Sequence, residues 1–413
     1  MKIIAEHAAN KALKRDALQI SAEAKLAKKN DPSVIDGTLG TFYYEDGTFK
    51  VHDTIAKKLN ELNDYDKYLY STAGGNNEYH DAIMNWFFQK SRSVIDSKLV
   101  TRSIPTPGGT GALVASVNNS TNVGEYVLIP NPCWGPYVGI CESRGRKVAK
   151  YTLFEDDKFN LNALKKTASE VLQTQNRLVC MINDPCNNPT GYTMSEDELR
   201  ELIQYFNSLK DTPVVMIYDA AYIDMAKEGF DATRKKLEVF TEANENVIII
   251  VAMSLSKTFF VYGQRLGAQI ILGKNEIEVQ EFKDAGGYFA RNTWSNCNKG
   301  LTSLMINLNN DKEAFEYVKE EINKVVEELD ARGKLFMDEA NECGLKTLPY
   351  SSGFFVSIPC KNNNLILDKL VEEEKIHLIP IVGCVRVALC ALPTKDIKGL
   401  AAKIKKVIDK YEA

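Results

Sequence analysis

Short, uninterrupted apolar runs recur along the middle of this 413-residue chain, and amphipathic stretches separate them. Runs of this length are typical of strands buried on both faces, and their alternation with helical segments is typical of a parallel sheet covered by helices. The sequence therefore predicts an α/β fold. Its candidate strands are YVLIP (126–130), LVCMIN (178–183), VVMIY (214–218), VIIIVA (247–252) and LGAQIIL (266–272).

The segment SEDELRELIQYF predicts a helix between the second and third of these strands. Ser195 and Glu198 have the spacing of a capping box, in which the two side chains satisfy backbone N–H groups of the first turn. An apolar stripe at helical spacing follows, made of Leu199, Leu202, Ile203 and Phe206.

A second pattern begins near residue 310. Apolar residues recur at helical spacing from Phe315 to Phe336 and predict one long helix that faces a core, with Gly333 interrupting the series. The strand-like segments GFFVSIP and CVRVALCAL follow, as expected for a smaller α+β unit. We expect a large domain over residues 48–310 and a small domain that combines residues 1–47 with 311–413.

Composition argues against several classes of protein. The chain has 51 Lys and Arg against 55 Asp and Glu, a net charge of −4, and this balance argues against a nucleic-acid-binding protein, which usually needs a basic face. Its longest apolar run is far shorter than the ~20 residues of a membrane-spanning helix. The first residues, MKIIAEHAANKALKRD, have no apolar stretch typical of a secretory signal.

The cysteines and histidines indicate no metal site. The 9 cysteines form no C-x-x-C pair and the 4 histidines are scattered, so neither a metal centre nor a disulfide framework is expected. A reducing cytoplasm is the location that this cysteine usage favours.

Residues capable of chemistry follow four of the apolar runs. YVLIP leads to Trp134, LVCMIN to Asn188, VVMIY to Asp219 and Tyr222, and VIIIVA to Lys257. Ligands of doubly wound sheets bind at the carboxyl ends of the strands, so we expect these side chains along one edge of the sheet.

Each of these residues has an ordinary structural alternative. Trp134 could belong to the core, Asn188 to a plain Asn-Pro-Thr-Gly turn, and Asp219 could cap the next helix. Most lysines are solvated. Lys257, however, ends an apolar strand, where partial burial lowers the pKa of an amine and suits it to forming a Schiff base.

A glycine-rich segment, Pro107-Gly-Gly-Thr-Gly-Ala-Leu113, precedes a predicted helix and is typical of a phosphate cradle. It is not the dinucleotide fingerprint, because the third glycine would fall at Val114, and no Gly-Lys-Ser/Thr of a P-loop follows. An amine, a carboxylate, a phenol, an aromatic plate and a phosphate cradle on one sheet edge are the parts that a pyridoxal 5′-phosphate (PLP) site requires.

In its motifs the sequence resembles the class I, fold-type I PLP-dependent aminotransferases, most closely the aspartate/aromatic aminotransferase branch. Three motifs carry the resemblance, which spans about residues 30 to 395: SLSKTFFVYGQRLG (254–267), NNPTG (187–191) and YDAAY (218–222). The resemblance implies a large domain with a mostly parallel seven-stranded sheet flanked by helices, a smaller α+β domain, and a homodimer with shared active sites.

The resemblance also implies roles for the residues at the sheet edge. Lys257 would bind the cofactor aldehyde and later move the proton, and Asp219 would keep the ring nitrogen protonated. Asn188 and Tyr222 would hydrogen-bond the phenolic oxygen of the ring, and Trp134 would stack on its face. Lys257, Asp219 and Tyr222 are thus the expected catalytic residues.

Further cofactor contacts are implied by the same resemblance. The expected phosphate ligands are Gly109, Thr110, Ser254 and Arg265, and arginine suits a planar two-point grip on phosphate. Tyr68 would cross the dimer interface to the partner's phosphate, although Tyr65 and Tyr70 flank it and leave the register open.

Two arginines and a glycine bear on the substrate. An unpaired Arg386 in an apolar strand would cost on the order of several kcal/mol, and in the family its partner is the substrate α-carboxylate. Arg291 resembles the arginine that binds a second carboxylate from the neighbouring subunit; the alternative is a surface salt bridge. Gly40 resembles the loop that closes over substrate, and Trp134 and Asn188 would also contact it.

These features predict an aminotransferase that moves the amino group of an L-amino acid, aspartate or aromatic, to 2-oxoglutarate by a ping-pong aldimine/ketimine mechanism. A carbon–sulfur lyase or a decarboxylase on the same fold is the alternative, and the two arginines count against it. A PLP-binding regulator without activity is a third reading. The segment Cys-Asn-Lys-Gly after Asn296 departs from the proline pair of close aspartate aminotransferases and leaves the preferred amino donor open.

Overall fold

A computed structural model of the chain describes residues 3–9, 11–12 and 16–412. Residues 1, 2, 10, 13–15 and 413, which belong to the predicted small domain, lie outside the described residues. Within the described residues the strands, in chain order, are β1 (Ile35–Asp36), β2 (Val100–Thr106), β3 (Tyr126–Asn131), β4 (Lys147–Thr152), β5 (Phe154–Glu155), β6 (Lys158–Phe159), β7 (Leu178–Asn183), β8 (Val214–Asp219), β9 (Val247–Ser254), β10 (Gly267–Gly273), β11 (Phe355–Pro359), β12 (Ile376–His377), β13 (Ile379–Ile381) and β14 (Cys384–Ala388).

The α-helices are α1 (Ala17–Asn30), α2 (Asp53–Glu61), α3 (Asp64–Tyr68), α4 (Asn77–Phe88), α5 (Arg92–Asp96), α6 (Gly108–Ser120), α7 (Pro136–Glu142), α8 (Leu161–Val171), α9 (Glu196–Ser208), α10 (Gly229–Lys236), α11 (Leu255–Thr258), α12 (Glu276–Thr293), α13 (Lys299–Asn310), α14 (Lys312–Cys343), α15 (Asn363–Glu374), α16 (Thr394–Ile397) and α17 (Leu400–Glu412). Short 3₁₀ turns cover Glu6–Ala8, Gln89–Ser91, Leu237–Glu242 and Leu389–Ala391. None of the described helices is long and apolar enough to cross a membrane.

A seven-stranded sheet forms the centre of the molecule, in the order β2-β10-β9-β8-β7-β3-β4. The five strands from β9 to β4 run parallel, whereas β10 is antiparallel to both of its neighbours. The five apolar runs are all strands of this sheet, and the predicted fold class is confirmed. The sequence analysis missed β2 and β4, the two edge strands, because polar residues interrupt their apolar pattern.

Every residue of β7, β8 and β9 is buried. Alternate residues face different clusters: Val179 and Ile217 pack on one face of the sheet, while Cys180 and Met216 pack on the other. Since both faces of the sheet are covered, the strands are uniformly apolar, and polar residues collect at their ends. The helix predicted at SEDELRELIQYF is α9, with the Ser195–Glu198 capping box formed.

A second, three-stranded antiparallel sheet has the order β11-β14-β13. Its core is a separate hydrophobic cluster that includes Phe336 of α14, Val356, Ile366, Val387 and Ile404. This is the predicted smaller α+β unit. The domain limits at residues 47 and 310 remain a prediction.

The long helix predicted from Phe315 to Phe336 is α14, and it continues through Gly333. A Cβ atom at this position would lie 2.2 Å from the Tyr350 hydroxyl oxygen. Gly333 therefore makes room for a tyrosine that packs across the helix.

Candidate active site

The carboxyl ends of β7, β8 and β9 lie side by side, with Asn183 opposite Asp219 and Asp219 opposite Ala252. The segments that follow these strands carry the predicted residues Asn188, Tyr222 and Lys257. Because parallel strands present their carboxyl ends at one edge, residues far apart in the chain meet there.

Lys257 lies in the one-turn helix α11, a turn beyond the end of β9. Its Nζ donates a hydrogen bond to the Gly40 carbonyl oxygen at 2.6 Å and lies 4.7 Å from the centre of the Tyr262 ring. Burial lowers the pKa of this amine to about 8, and the positive charges of Arg386 and Arg265 act in the same direction. About a tenth of the amine is therefore free at pH 7, far more than for a lysine with an ordinary pKa.

Asp219 is the last residue of β8, and its side chain is buried. Tyr137 donates its hydroxyl proton to Oδ2 at 2.5 Å, and the Ala221 N–H donates to Oδ1 at 3.2 Å. Burial raises the pKa of the carboxyl group to about 6 in spite of these bonds. A buried carboxylate whose partners are neutral fits a cationic ligand atom, such as a protonated ring nitrogen.

Arg386 on β14 is also buried, and its hydrogen-bond partners are neutral. Nη1 donates to Asn188 Oδ1 at 3.0 Å, Nη2 donates to the Thr38 carbonyl oxygen at 2.8 Å, and Nε has no partner within the described part of the chain. The guanidinium lies 4.1 Å from the centre of the Phe355 ring. Burial lowers the pKa of Arg386 to about 10. A carboxylate ligand would supply the missing acceptor and the counter-charge.

Asn188 connects this arginine to the phenol of Tyr222. Its Nδ2 donates to the Tyr222 hydroxyl oxygen at 3.5 Å, a long hydrogen bond, while its backbone N–H donates to Asn183 Oδ1 at 2.6 Å. Burial raises the pKa of Tyr222, so the phenol is protonated and can donate to a ligand oxygen.

The glycine-rich segment forms the first turn of α6, and no side chain caps it. A Cβ atom on Gly108 would lie 2.5 Å from Arg265 Nη2, and one on Gly109 would lie 3.3 Å from Ser254 Cβ. The N–H groups of this turn, which includes Thr110, have no side-chain cap. They lie next to the Arg265 guanidinium. Such a cradle fits a phosphate group.

Trp134 and Gly40 border the same space. Trp134 is half-buried, and its ring meets the Tyr137 ring edge-on at 5.5 Å, next to Asp219. A Cβ atom on Gly40 would lie 2.5 Å from the Phe355 ring, so the loop passes too close to the site for a side chain.

Four predicted residues lie away from this cluster in the single chain. Tyr65, Tyr68 and Tyr70 are at least 75% exposed. Arg291, at the end of α12, is exposed and donates to Ser295 Oγ, which does not match the surface salt bridge considered as its alternative.

The structure adds residues that the sequence analysis did not select: Asn183, Tyr137, Thr38, Phe355 and Tyr262. Asn183 ends a predicted strand, so the rule that found Asp219 could have found it. The other four reach the site from α7, from loops or from β11, and no local pattern marks them.

Residues 34–404 match the sequence model of the family described as "Aminotransferase class I and II". The chain belongs to this family. The resemblance carried by the three motifs is confirmed, and the protein is a PLP-dependent aminotransferase. The cluster described above fits the cofactor: a cradle for its phosphate, a carboxylate for its ring nitrogen, a phenol for its ring oxygen and an amine for its aldehyde.

Individual relatives span nearly the whole chain. A histidinol-phosphate aminotransferase of Sulfurisphaera tokodaii is 26% identical over 82% of this chain and 87% of its own length. An aspartate aminotransferase of Haemophilus influenzae is 24% identical, over 90% of this chain and 92% of its own.

Solved structures share the fold. An aminotransferase from Anaerococcus prevotii superposes with a TM-score of 0.94 at 28% identity, covering 99% of this chain and 100% of the other. An aromatic-amino-acid aminotransferase from Burkholderia pseudomallei, covalently bound to pyridoxal phosphate, gives a TM-score of 0.80 at 19% identity, covering 98% and 100%.

Proposed function

We propose that the enzyme moves the amino group of an L-amino acid, aspartate or aromatic, to 2-oxoglutarate. The proposal rests mainly on the buried Arg386 guanidinium: its hydrogen-bond partners are neutral, and its Nε has no partner among the residues that the structure describes. The α-carboxylate shared by amino acids and oxo acids would satisfy it. Relatives that act on aspartate and on aromatic amino acids support the substrate class.

The residues around the cofactor site have different proposed roles. When bound, PLP supplies an aldehyde for the amino group and a ring that accepts an electron pair from the substrate. Asp219 would hold a proton at the ring nitrogen, and Asn188 and Tyr222 would hydrogen-bond the ring oxygen. Trp134 would cover the ring face. Gly109, Thr110, Ser254 and Arg265 would hold the phosphate.

Lys257 is the residue that transfers the proton at the substrate. An amine with a pKa of about 8 exchanges a proton readily near neutral pH, which suits a group that must act as base and then as acid. Arg386 fixes the α-carboxylate, and the loop at Gly40 covers the substrate and excludes water.

We further propose a homodimer with shared active sites. Four bulky side chains in one short segment are exposed by 55% or more: Tyr65, Tyr68, Leu69 and Tyr70. Large exposed apolar groups gathered in this way are typical of an interface. Across it, Arg291 would bind the second carboxylate of a substrate in the neighbouring subunit, and Tyr68 would reach the neighbour's phosphate. All nine cysteines are free thiols, which favours a reducing cytoplasm as the location.

A substrate screen tests the proposal. The purified enzyme with PLP is incubated with aspartate, tyrosine, phenylalanine or histidinol phosphate as donor and 2-oxoglutarate as acceptor, and glutamate formation is measured. We expect turnover with aspartate or an aromatic donor and none with Lys257→Ala. Turnover of histidinol phosphate alone, or release of pyruvate and ammonia from cysteine without any transfer, would refute the proposed reaction.

A further inference from the structure

The segment Cys297-Asn-Lys-Gly300, in which the sequence departs from the proline pair of close aspartate aminotransferases, contains the beginning of α13. Asn298 is the N-cap: its Oδ1 accepts a hydrogen bond from the Leu301 N–H at 3.0 Å, and its carbonyl oxygen accepts one from the Thr302 N–H at 3.1 Å. Ser71 Oγ donates to the Cys297 carbonyl oxygen at 2.8 Å. Asn298 is therefore held in place at the first turn of a twelve-residue helix.

The other end of the Asn298 amide reaches a different part of the chain. Nδ2 donates to the Gln264 carbonyl oxygen and to Gln264 Oε1, each at 2.9 Å. A proline at position 298 would have no donor for either bond. The side-chain amide of Asn298 thus supplies a contact to Gln264 that proline could not make.

Gln264 directly precedes Arg265, whose backbone is strained. Arg265 has φ = 54°, a left-handed conformation that is uncommon for residues with a side chain and costs about 1–3 kcal/mol. The Gln264 carbonyl belongs to the peptide plane from which this φ is measured. On the other side, the Leu266 carbonyl oxygen accepts a hydrogen bond from the Leu255 N–H at 3.1 Å. Arg265 is therefore held between two anchored carbonyl groups.

This backbone conformation aims the Arg265 side chain at the start of α6. Its guanidinium donates to Ser256 Oγ and to the Tyr262 carbonyl oxygen, each at 2.9 Å, and lies against Gly108. We infer that Asn298 is a positioning residue for the phosphate cradle: by holding the Gln264 carbonyl, it keeps Arg265 in the conformation that grips phosphate. The inference rests on the proposed role of Arg265 as a phosphate ligand.

Asn298→Ser separates positioning from helix capping. Serine is a good N-cap residue, so α13 keeps its acceptor, but its short hydroxyl cannot replace the two bonds to Gln264. The matched control is Asn362→Ser: Asn362 caps α15, which also has twelve residues, and its side chain accepts from the Leu365 N–H at 3.2 Å. The cofactor-free full-length proteins are titrated with PLP and with pyridoxal, which has the same ring and aldehyde without the phosphate.

We expect Asn298→Ser to lose about fivefold in affinity for PLP, the effect of one net hydrogen bond, and to bind pyridoxal as the wild type does. Asn362→Ser should change neither affinity. Equal losses for PLP and pyridoxal, or no loss for PLP, would overturn the inference. A wild-type protein without preference for PLP over pyridoxal would overturn the phosphate site itself, and the inference with it.

Gln264→Ala provides the second variant, at an exposed residue whose replacement leaves the cap of α13 intact. It removes one of the two acceptors, so we expect a loss of about twofold for PLP alone. In the double variant the two losses should not add, because both act through one contact. Additive losses would show that Asn298 does not act through Gln264. Should Asn298→Ser fail to fold in a thermal unfolding check, Asn298→Asp replaces it, because aspartate keeps the acceptor of the N-cap and has no donor for either bond to Gln264; the same selective loss for PLP is expected, and its absence would overturn the inference.

Discussion

Two carboxylates, each 4% exposed, differ in what surrounds them. Asp224 accepts hydrogen bonds from the buried Arg234 guanidinium, from Trp86 Nε1 at 3.1 Å and from Thr258 Oγ1 at 2.7 Å. Asp219 has the neutral partners Tyr137 and Ala221, and its pKa is raised to about 6. Asp224 thus has a cationic partner in Arg234, whereas Asp219 has none among the described residues. In the proposed site, the ring nitrogen of the cofactor would supply the counter-charge of Asp219.

Replacing Asp219 with asparagine should therefore stabilise the cofactor-free protein. A carboxyl group whose pKa rises from 3.8 when unfolded to about 6 when folded favours folding at low pH, and this contribution is lost as the pH rises through 6. At pH 8, Asp219→Asn should raise the free energy of unfolding by about 1–3 kcal/mol, and by roughly half as much at pH 5. Urea unfolding of the cofactor-free enzyme measures both.

The control for this prediction is Asp224→Asn, which leaves Arg234 buried without a counter-charge. It should lower the free energy of unfolding by about 3–5 kcal/mol. A lower free energy of unfolding for Asp219→Asn at pH 8 would show that the buried carboxylate does not destabilise the cofactor-free protein.

The lowered pKa of Lys257 can be measured directly. In the cofactor-free protein, reductive alkylation by a small aldehyde requires the free amine, so the rate at Lys257 should rise with a midpoint near pH 8. Lys90 and Lys334 are the comparison: each is paired with a surface aspartate that raises the pKa of its amine, so their midpoints should lie above the ordinary value of about 10.4. Peptide mapping after labelling between pH 6 and 11 separates the sites. A Lys257 midpoint that coincides with those of the exposed lysines would contradict the role of burial.

At the scale of elements, α14 contains a glycine in its middle, where alanine would favour the helix by about 0.5–1 kcal/mol. The Tyr350 ring explains it. Cβ atoms on Gly333 and on Gly191 would lie 2.2 and 2.3 Å from atoms of this side chain, so the ring is enclosed between helix α14 and the Asn-Pro-Thr-Gly loop. The loop that carries Asn188 is thus packed against the long helix.

We expect Gly333→Ala to destabilise the enzyme by about 1–3 kcal/mol despite the gain in helix propensity, because the ring has no space to move. Tyr350→Phe removes the nearest atom, so Gly333→Ala should cost less in the Tyr350→Phe background. A double-mutant cycle by thermal unfolding measures the coupling. A neutral or stabilising Gly333→Ala would show that the ring can shift freely.

At the scale of the whole molecule, the site is assembled from distant parts of the chain. Gly40 and Lys257 share a hydrogen bond, as do Asn188 and Arg386. Arg291 and Tyr68, in contrast, lie at the surface, where the proposed dimer would bring them to the neighbouring site.

Subunit mixing tests that arrangement. Lys257→Ala and Arg291→Ala are each expected to be inactive on aspartate. If Arg291 acts across the interface, a mixed dimer of the two variants contains one site with both native residues. Unfolding and refolding the variants together should restore roughly a quarter of the wild-type sites, as expected for random pairing in a two-fold dimer. Activity that remains at the level of the separate variants would place Arg291 within its own subunit or outside the site.

Much of the fold could be predicted because its signals are local. A buried strand requires an apolar run, and a polar residue directly after it lies at the sheet edge, so the positions of Asp219 and Asn188 were predictable. The edge strands β2 and β4 were not, since they are partly solvated and their pattern is mixed. In the sequence, Asn298 and Gly333 only interrupt a pattern. The contacts that explain them, with Gln264 and with Tyr350, are found in the structure alone.

The sequence by itself determined the order of the central strands along the chain, the capped helix α9 and the motifs around Lys257, because each depends on neighbours in the chain. Only the tertiary structure decided which partners these residues have: Tyr137 for Asp219, Thr38 and Phe355 for Arg386, Gln264 for Asn298. Such contacts join segments that are distant in the sequence, and their effects on pKa arise from the surrounding packing, which no local pattern records.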